Sequence, residues 1–407
     1  MDKICEPGHC PGCGACRNVC GRQAICLQPN DLGAEIAVID AARCVSCGLC
    51  RTVCPQNQTT ELHPIGSCWA AWSTNTETRR TSASGGVAAE LYAWAARNGM
   101  WFAGVKMQPD HSAAYCLTQD PGEIARFQNS KYLYADAGTI YQETAAKLKA
   151  GQGVLFIGVP CQVDALRQVC RVLHAPTEQL YLADLVCHGC APKTYLQQHV
   201  RALEKRYSRQ ASEVAFRDPA EATCTFTFTL RQNGRLFYKK RVDRNDTYQV
   251  GYHKGIIYRE NCYACSYAQA ARPGDLTLAD FAYVGSVEPC AYSNENVSCV
   301  LCNTEKGAAL LRALCTENKL LAEQRPQEEA ARYQPTINHP TPPAAERKTF
   351  VQQYRRVHDF DTAVRAAARR RILRNELQYF LHVQQIRRAA GRILPKEWKQ
   401  ALRGKRR

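Results

Sequence analysis

The chain has 407 residues, 45% of them hydrophobic, with 23 cysteines and a formal charge of +16. That length supports two or three domains and a large core. No apolar stretch reaches the ~18 residues of a membrane helix, and no apolar run follows Met1-Asp2-Lys3, which argues against a secreted disulfide framework and for a cytoplasmic, reducing compartment. The charge is uneven. From residue 345 onward 18 Lys and Arg face 5 Asp and Glu, which leaves a net +3 for the first 344 residues.

The first elements in chain order are two copies of one cysteine ladder. Cys10, Cys13, Cys16 and Cys20 have the spacing C-x2-C-x2-C-x3-C, and Cys44, Cys47, Cys50 and Cys54 repeat it 34 residues later, with Pro55 following the second copy. Three thiolates on one tight loop can cap three irons of a cubane, and in two-cluster ferredoxins the fourth thiolate comes from the other ladder. The expected assignment is therefore crossed, with Cys10, Cys13, Cys16 and Cys54 on one [4Fe–4S] cluster and Cys44, Cys47, Cys50 and Cys20 on the second. A zinc site normally takes two C-x2-C pairs and four ligands in all, a poor match to this ladder. Gly21 stands where a proline usually follows the fourth cysteine; that proline shapes the loop and binds no metal. Ala24 to Ile39 alternates apolar residues around Pro29-Asn30-Asp31-Leu32-Gly33 and reads as a hairpin between the ladders.

Residues 1–62 form this ferredoxin module, and residues 63–334 read as an α/β domain. Strands are predicted over Cys68–Ser73, Met100–Met107, Gly153–Val159 and Tyr181–Val186. Helices are predicted from the Ser82-Ala83-Ser84-Gly85-Gly86 segment to Arg97, over Tyr141–Ala150, from Pro160 to about Val172 and from Pro192 to about Tyr207. Strands alternating with helices imply a mainly parallel sheet covered by helices. Val214–Arg217, Cys224–Leu230 and Arg235–Val242 look like antiparallel strands with a turn at Asn233-Gly234. Leu276–Phe281 and Val297–Cys302 read as later strands, and Lys306–Cys315 as a helix. The fold class is thus α+β/α/β: a ferredoxin-like two-cluster module, a mainly parallel α/β domain, and, over residues 335–407, a proline-bearing linker with a basic helical tail. The tail's charge suits a solvated face, an anionic membrane surface or an acidic partner protein. No nucleic-acid fold signature accompanies it.

Four further cysteines stand where loops leave ordered elements. Cys161 follows a strand and starts a helix, Cys187 ends a strand, and Cys262 and Cys265 form a C-x2-C in a turn-rich stretch. Ligands of open α/β sheets bind at the carboxyl ends of strands, and a helix N-terminus favours thiolate, so these four could hold a third [4Fe–4S] cluster. A nucleophilic Cys161, a Cys187-His188 pair and a half zinc site at Cys262 and Cys265 are the rival readings. Cys190 forms another C-x2-C with Cys187 and is a substitute ligand. Cys299 and Cys302 read as residues of a buried strand.

The ordered set Ser84-Gly85-Gly86, Ser130-Lys131-Tyr132, Gly158-Val159-Pro160-Cys161-Gln162, Asp184-Leu185-Val186-Cys187-His188-Gly189, Phe216-Arg217-Asp218, Cys262-Tyr263-Ala264-Cys265, Gly274-Asp275-Leu276-Thr277-Leu278-Ala279-Asp280-Phe281 and Asn303-Thr304-Glu305-Lys306-Gly307 resembles the beta subunit of coenzyme F420 hydrogenase/dehydrogenase in its ferredoxin-fused form, over roughly residues 1 to 315. The resemblance implies an FAD in the α/β domain beside an iron–sulfur cluster held by Cys161, Cys187, Cys262 and Cys265. It places Ser84, Gly85 and Gly86 on the flavin side, with Ser130, Lys131 and Tyr132 as a second group of cofactor contacts. Small residues at a helix start let backbone N–H groups approach a phosphate or ring, though an ordinary helix cap uses the same residues. The chain departs from the family pattern at Ala83, Val159 and Ala282, all near the pocket for the second substrate, so the acceptor is coenzyme F420 or another organic molecule.

Clusters carry single electrons and hydride carriers deliver two, and a flavin exchanges one for the other. The expected activity is therefore an FAD-dependent oxidoreductase linked to ferredoxin-type clusters, with a small redox substrate or ferredoxin as partner. The alternative is a non-catalytic iron–sulfur carrier or assembly subunit. No side chain is required as an acid or base; His188 reads as structural, with a proton-donor role as the rival.

Overall fold

The ladder repeat is also a repeat of the backbone. Each ladder closes on a four-residue helix, Ala15–Asn18 and Leu49–Thr52, and Gly14 and Gly48 precede these helices with φ of 81° and 83°. Only glycine adopts that left-handed conformation without strain, and it turns each loop tightly enough to gather its thiols. Between the ladders, β1 (Ile25–Pro29) and β2 (Glu35–Ile39) pair antiparallel with Ile25 opposite Ile39, the hairpin expected from the alternation. The computed structural model describes residues 3–6, 8–58, 61–290 and 296–381.

The α/β domain supplies β3 (Ser67–Ser73), β4 (Trp101–Met107), β5 (Ala113–Thr118), β6 (Val154–Gly158) and β7 (Leu180–Leu185). A small antiparallel sheet follows, made of β8 (Glu213–Ala215), β9 (Thr227–Gln232) and β10 (Arg235–Arg241), and then β11 (Leu276–Asp280), β12 (Ser298–Cys302) and β13 (Leu320–Arg325). Eight strands form one sheet in the order β13-β3-β12-β11-β7-β6-β4-β5. Its middle, β11-β7-β6-β4, is parallel, as the alternation of strands and helices requires. Antiparallel strands extend it on both sides, so the sheet as a whole is mixed.

Strand β6 is buried along its whole length, which explains its continuous apolar sequence. Leu155 and Ile157 face the helix Val87–Arg97, whereas Val154 and Phe156 face the helices Ile140–Lys149 and Pro160–Val172. The ferredoxin module docks on that second layer, burying Cys13, Ala15, Cys16 and Val19 among Tyr141, Val163, Leu166 and Val169.

Among the elements that were not legible are β5, β13 and the helices Thr76–Thr81, Ile124–Phe127, Thr247–His253 and Gln327–Tyr333. Cys224, expected in a strand, lies in a 3-10 turn ahead of β9. The larger correction concerns the tail. The helices Arg347–Val357 and Phe360–Ala367 belong to the core, where Phe350, Phe360, Ala363 and Val364 are fully buried. Tyr195 stacks on Phe360 with ring centroids 5.2 Å apart and meets Tyr354 edge-on at 4.9 Å. The basic runs hid this because the apolar positions are few and the helices are short. Residues 382–407, with Lys405-Arg406-Arg407, lie outside the described residues. Among the described residues no helix is long and apolar enough to cross a membrane.

Candidate redox centre

The ladder cysteines separate into two groups. Cys13 and Cys16 are held above the ordinary thiol pKa by burial and by neighbouring thiolates, with Cys10 and Cys54 acting on both. Cys10 is lowered to about 6, first by a hydrogen bond from Cys5, and Cys54 is lowered by the same donor. The inner group is thus Cys10, Cys13, Cys16 and Cys54, with Cys5 as a fifth thiol at its edge. Buried thiolates that repel one another need a cationic centre, which suits this donor set to an iron cluster.

The other four thiols, Cys20, Cys44, Cys47 and Cys50, line one cavity of about 360 Å3 with Ile25, Ile39 and Leu49. Cys50 is raised by burial and then by the charges of Cys47 and Cys44. This outer group opens at the surface: Cys47 is exposed, as are Val45 and Leu49. Among the described residues no three His, Cys, Asp or Glu side chains close on one point as ligands of a single ion would.

The inner group faces the α/β domain. The Tyr141 hydroxyl donates to the Cys13 carbonyl at 3.0 Å, Asn18 donates to the Gly138 carbonyl at 2.9 Å, and Arg17 pairs with Asp136 at 2.8 Å. Just beyond lies the third group. Cys161 is raised by burial and then by the charges of Cys265, Cys187 and Cys262, and Cys262 is pushed up to about 12 by burial and by Cys187. Cys190 joins these four: its Sγ is 3.9 Å from Cys187 Sγ, and its thiol proton helps lower the Cys187 pKa. Tyr134 and Tyr141 each sense both Cys13 and Cys161, so the inner and third groups share neighbours.

Arg259 also lies between these groups, and sequence reasoning missed it. It is buried, its guanidinium is 4.4 Å from the Tyr134 ring, and its Nη2 donates to the Glu35 carbonyl at 2.6 Å. Its Nε is buried without a partner. Its charge lowers both Cys10 and Cys262. The one signal in the sequence was its place three residues ahead of the Cys262/Cys265 pair. Arg272 holds the other side of the third group through a buried fork on Asp184, with bonds of 2.6 and 3.0 Å.

Cys187 and Cys190 line a second cavity, of about 510 Å3, within the ~300–1,000 Å3 usual for cofactor pockets. Of the six candidate cofactor contacts, Ser84, Gly86, Ser130, Lys131 and Tyr132 line it. Gly85 stands behind the wall: its N–H donates to Ser298 Oγ at 2.9 Å, and a Cβ there would come within 2.3 Å of the Ala71 carbonyl oxygen. Ser84 Oγ is itself 2.8 Å from Ser298 Oγ. Lys131 spends its ammonium locally, donating to the carbonyls of Phe127 and Gln128 at 2.9 and 2.7 Å, so what it offers the cavity is mainly its stem. Tyr132 stacks on Tyr252 with centroids 4.5 Å apart and gives the cavity an aromatic wall. His188 lines the cavity next to Cys187. Gln334, another wall residue that sequence reasoning missed, donates its Nε2 to the Asp280 carbonyl at 2.8 Å and lies beside His188. Flat aromatic walls with a few unspent polar groups fit a flat heteroaromatic cofactor.

Residues 151–328 match the family described as the C terminus of the coenzyme F420 hydrogenase/dehydrogenase beta subunit, and residues 9–58 match the 4Fe-4S dicluster domain. Among solved structures, a chain of the xenon-derivatized F420-reducing [NiFe] hydrogenase complex from Methanosarcina barkeri is similar at 15% identity and a TM-score of 0.42, over 77% of this chain and 94% of that one. No curated protein matches the chain. Residues 151–328 are thus a segment of the type found at the C terminus of the coenzyme F420 hydrogenase/dehydrogenase beta subunit, and residues 9–58 are a 4Fe–4S dicluster domain.

Proposed function

We propose that this chain is a flavin-dependent iron–sulfur oxidoreductase that moves electrons between a protein donor and an organic acceptor, coenzyme F420 or another. One observation carries the reading: the outer thiols, the inner thiols, the third group and the 510 Å3 cavity follow one another from the surface inward, with Cys187 and Cys190 forming part of the cavity wall. The outer ladder would hold one [4Fe–4S] cluster through Cys20, Cys44, Cys47 and Cys50, and the inner one a second through Cys10, Cys13, Cys16 and Cys54. Cys161, Cys187, Cys262 and Cys265 would hold a third. When bound, FAD supplies the exchange between single electrons and a hydride.

The chain's own residues prepare that exchange. The Tyr132–Tyr252 stack gives a flat apolar wall, Ser84 and Ser130 offer hydroxyls, and Arg217, paired with Asp280 at 2.6 Å, fixes a cation beside the cavity. The exposed Val45 and Leu49 beside the outer thiols offer a docking face for ferredoxin or a partner subunit. The reducing environment that free thiols require is the cytoplasm.

Anaerobic purification tests the reading. About twelve irons and one flavin per chain are expected, four irons for each cubane. A Cys262→Ser/Cys265→Ser variant should lose about four of them. Full iron without flavin would leave a carrier rather than an enzyme, and unchanged iron in the variant would remove the third cluster.

A further inference from the structure

A third space, a cleft of about 390 Å3, lies between the segment that links β10 to the helix Thr247–His253 and the helix Arg369–Phe380. Arg241, Arg244, Lys254, Arg371 and Arg374 line it, against the single carboxylate of Asp243. Part of this charge is spent. Arg241 forks onto Asp243 with bonds of 2.8 and 2.5 Å, and Arg371 onto Glu346 with bonds of 3.1 and 2.7 Å. The remainder is not. Arg374 and Lys254 form no ion pair with any described residue. The Arg244 Nε is 3.9 Å from the Asp243 carboxylate, which Arg241 already occupies. The Arg244 guanidinium lies 3.5 Å from the Tyr379 ring centroid, a stack that fixes its plane and turns its edge outward to donate.

Like charges drawn into a concave space raise the energy of the empty site and favour an anion. Four of the five cations are arginines, whose forked donors match the paired oxygens of a phosphate. A cleft of about 390 Å3 fits a small anionic group. Its wall includes His253, which also lines the 510 Å3 cavity and meets Tyr132 edge-on at 5.2 Å. The two spaces therefore adjoin, with His253 in the wall of both.

We infer that this cleft is a phosphate site for the anionic end of a molecule whose other end enters the neighbouring cavity. Two sources share that chemistry: the diphosphate of the flavin cofactor, and a phosphate carried by the second substrate. The choice between them rests on the proposed function; the cleft's charge does not. Arg371, Arg374 and Tyr379, on the helix Arg369–Phe380, lie beyond the matched family segment, which ends at 328, whereas Arg241, Arg244 and Lys254 lie within it.

The test is calorimetric titration of inorganic pyrophosphate into the full-length, anaerobically purified protein at low salt. Wild type is compared with Arg244→Gln/Arg374→Gln and with Arg374→Lys, and the flavin content of each preparation is measured after denaturation. Thermal unfolding confirms that the variants fold. Saturable binding, weakened at least tenfold in the double variant and largely kept in Arg374→Lys, with flavin content unchanged, supports a substrate phosphate site. Loss of most of the flavin in the double variant also supports the site and assigns it to the cofactor. Affinity and flavin content both unaltered by the substitutions would overturn it, as would no binding by any protein with flavin unaltered. A wild type that binds pyrophosphate but holds no flavin would defeat the proposed function and leave the phosphate site standing.

Discussion

Arg259 offers the sharpest test of the relay. Its guanidinium is buried between the inner ladder and the third group, so near the loop joining Cys10 to Cys13 that a Cβ on Gly12 would lie 2.6 Å from its Nη2. A reduced cluster carries one more negative charge than an oxidised one, so a fixed cation nearby stabilises the reduced form and raises the potential. At an effective dielectric of about 20, a unit charge about 8 Å away contributes ~2 kcal/mol, or roughly 80 mV for a one-electron centre. Arg259→Gln should lower the inner and third potentials by about that much and move the outer one far less, because solvent screens it. Arg259→Lys keeps the charge and should restore most of the shift. The assay is an anaerobic redox titration followed by electron paramagnetic resonance, with iron content as the control for assembly. Unchanged inner and third potentials, or an equal shift in all three centres, would refute the placement of the cation.

Two further outcomes test how the C-terminal helices are joined to the rest. Phe360→Ala removes a fully buried ring stacked on Tyr195 and should cost about 3–5 kcal/mol of stability in chemical denaturation; a loss below about 1 kcal/mol would mean that these helices are an appendage. His199 lies between Asp361 at 2.8 Å and Asp246 at 3.0 Å. Burial pushes its pKa down, but the two carboxylates outweigh that and raise it from 6.5 to about 10. The stability it contributes is fully present below pH 6.5 and is lost as the pH rises through about 10, at up to ~1.4 kcal/mol per pH unit. Denaturation at pH 7 and pH 10 should therefore show a fall in wild type that is smaller in His199→Gln, and equal falls would exclude the linkage.

The sequence exposed those parts of the site that depend on spacing, and hid those that depend on three-dimensional convergence. The ladders were legible because each places its ligands on one loop, and the same glycine turn recurs at Gly14 and Gly48. The strand-end cysteines Cys161 and Cys187 were legible because β6 and β7 are parallel and buried, which gives unbroken apolar runs ending at loops. Cys5 and Arg259 were not, because their meaning comes from tertiary neighbours: Cys5 donates to Cys10 and Cys54, and Arg259 reaches across 224 residues to Glu35. Gly85 was read as a backbone that approaches a ligand, whereas what it approaches is the Ala71 carbonyl on β3. Its small size serves strand packing. The C-terminal helices were misjudged for a related reason. Charge dominates the composition of residues 345–407, but burial depends on a few positions, Phe350, Tyr354, Phe360 and Val364, that a charge count does not weigh.

The two ladders have the same spacing, so left to themselves they would bind equivalent clusters of similar potential, with no preferred direction of electron flow. Direction has to come from their surroundings, and these differ. Docking of the Ala15–Asn18 turn on the helix Pro160–Val172 encloses the inner thiols and brings Arg17, Arg259 and Tyr141 around them. The outer thiols keep a solvent-open mouth lined by Val45, Leu49 and Arg22. In the proposed assignment, burial alone would make the inner cluster harder to reduce, and the Arg259 charge, which acts on both Cys10 and Cys262, would offset that cost. On the proposed cluster assignment, a duplicated ladder would become a directed path only through the asymmetric way in which one copy is built into the larger domain.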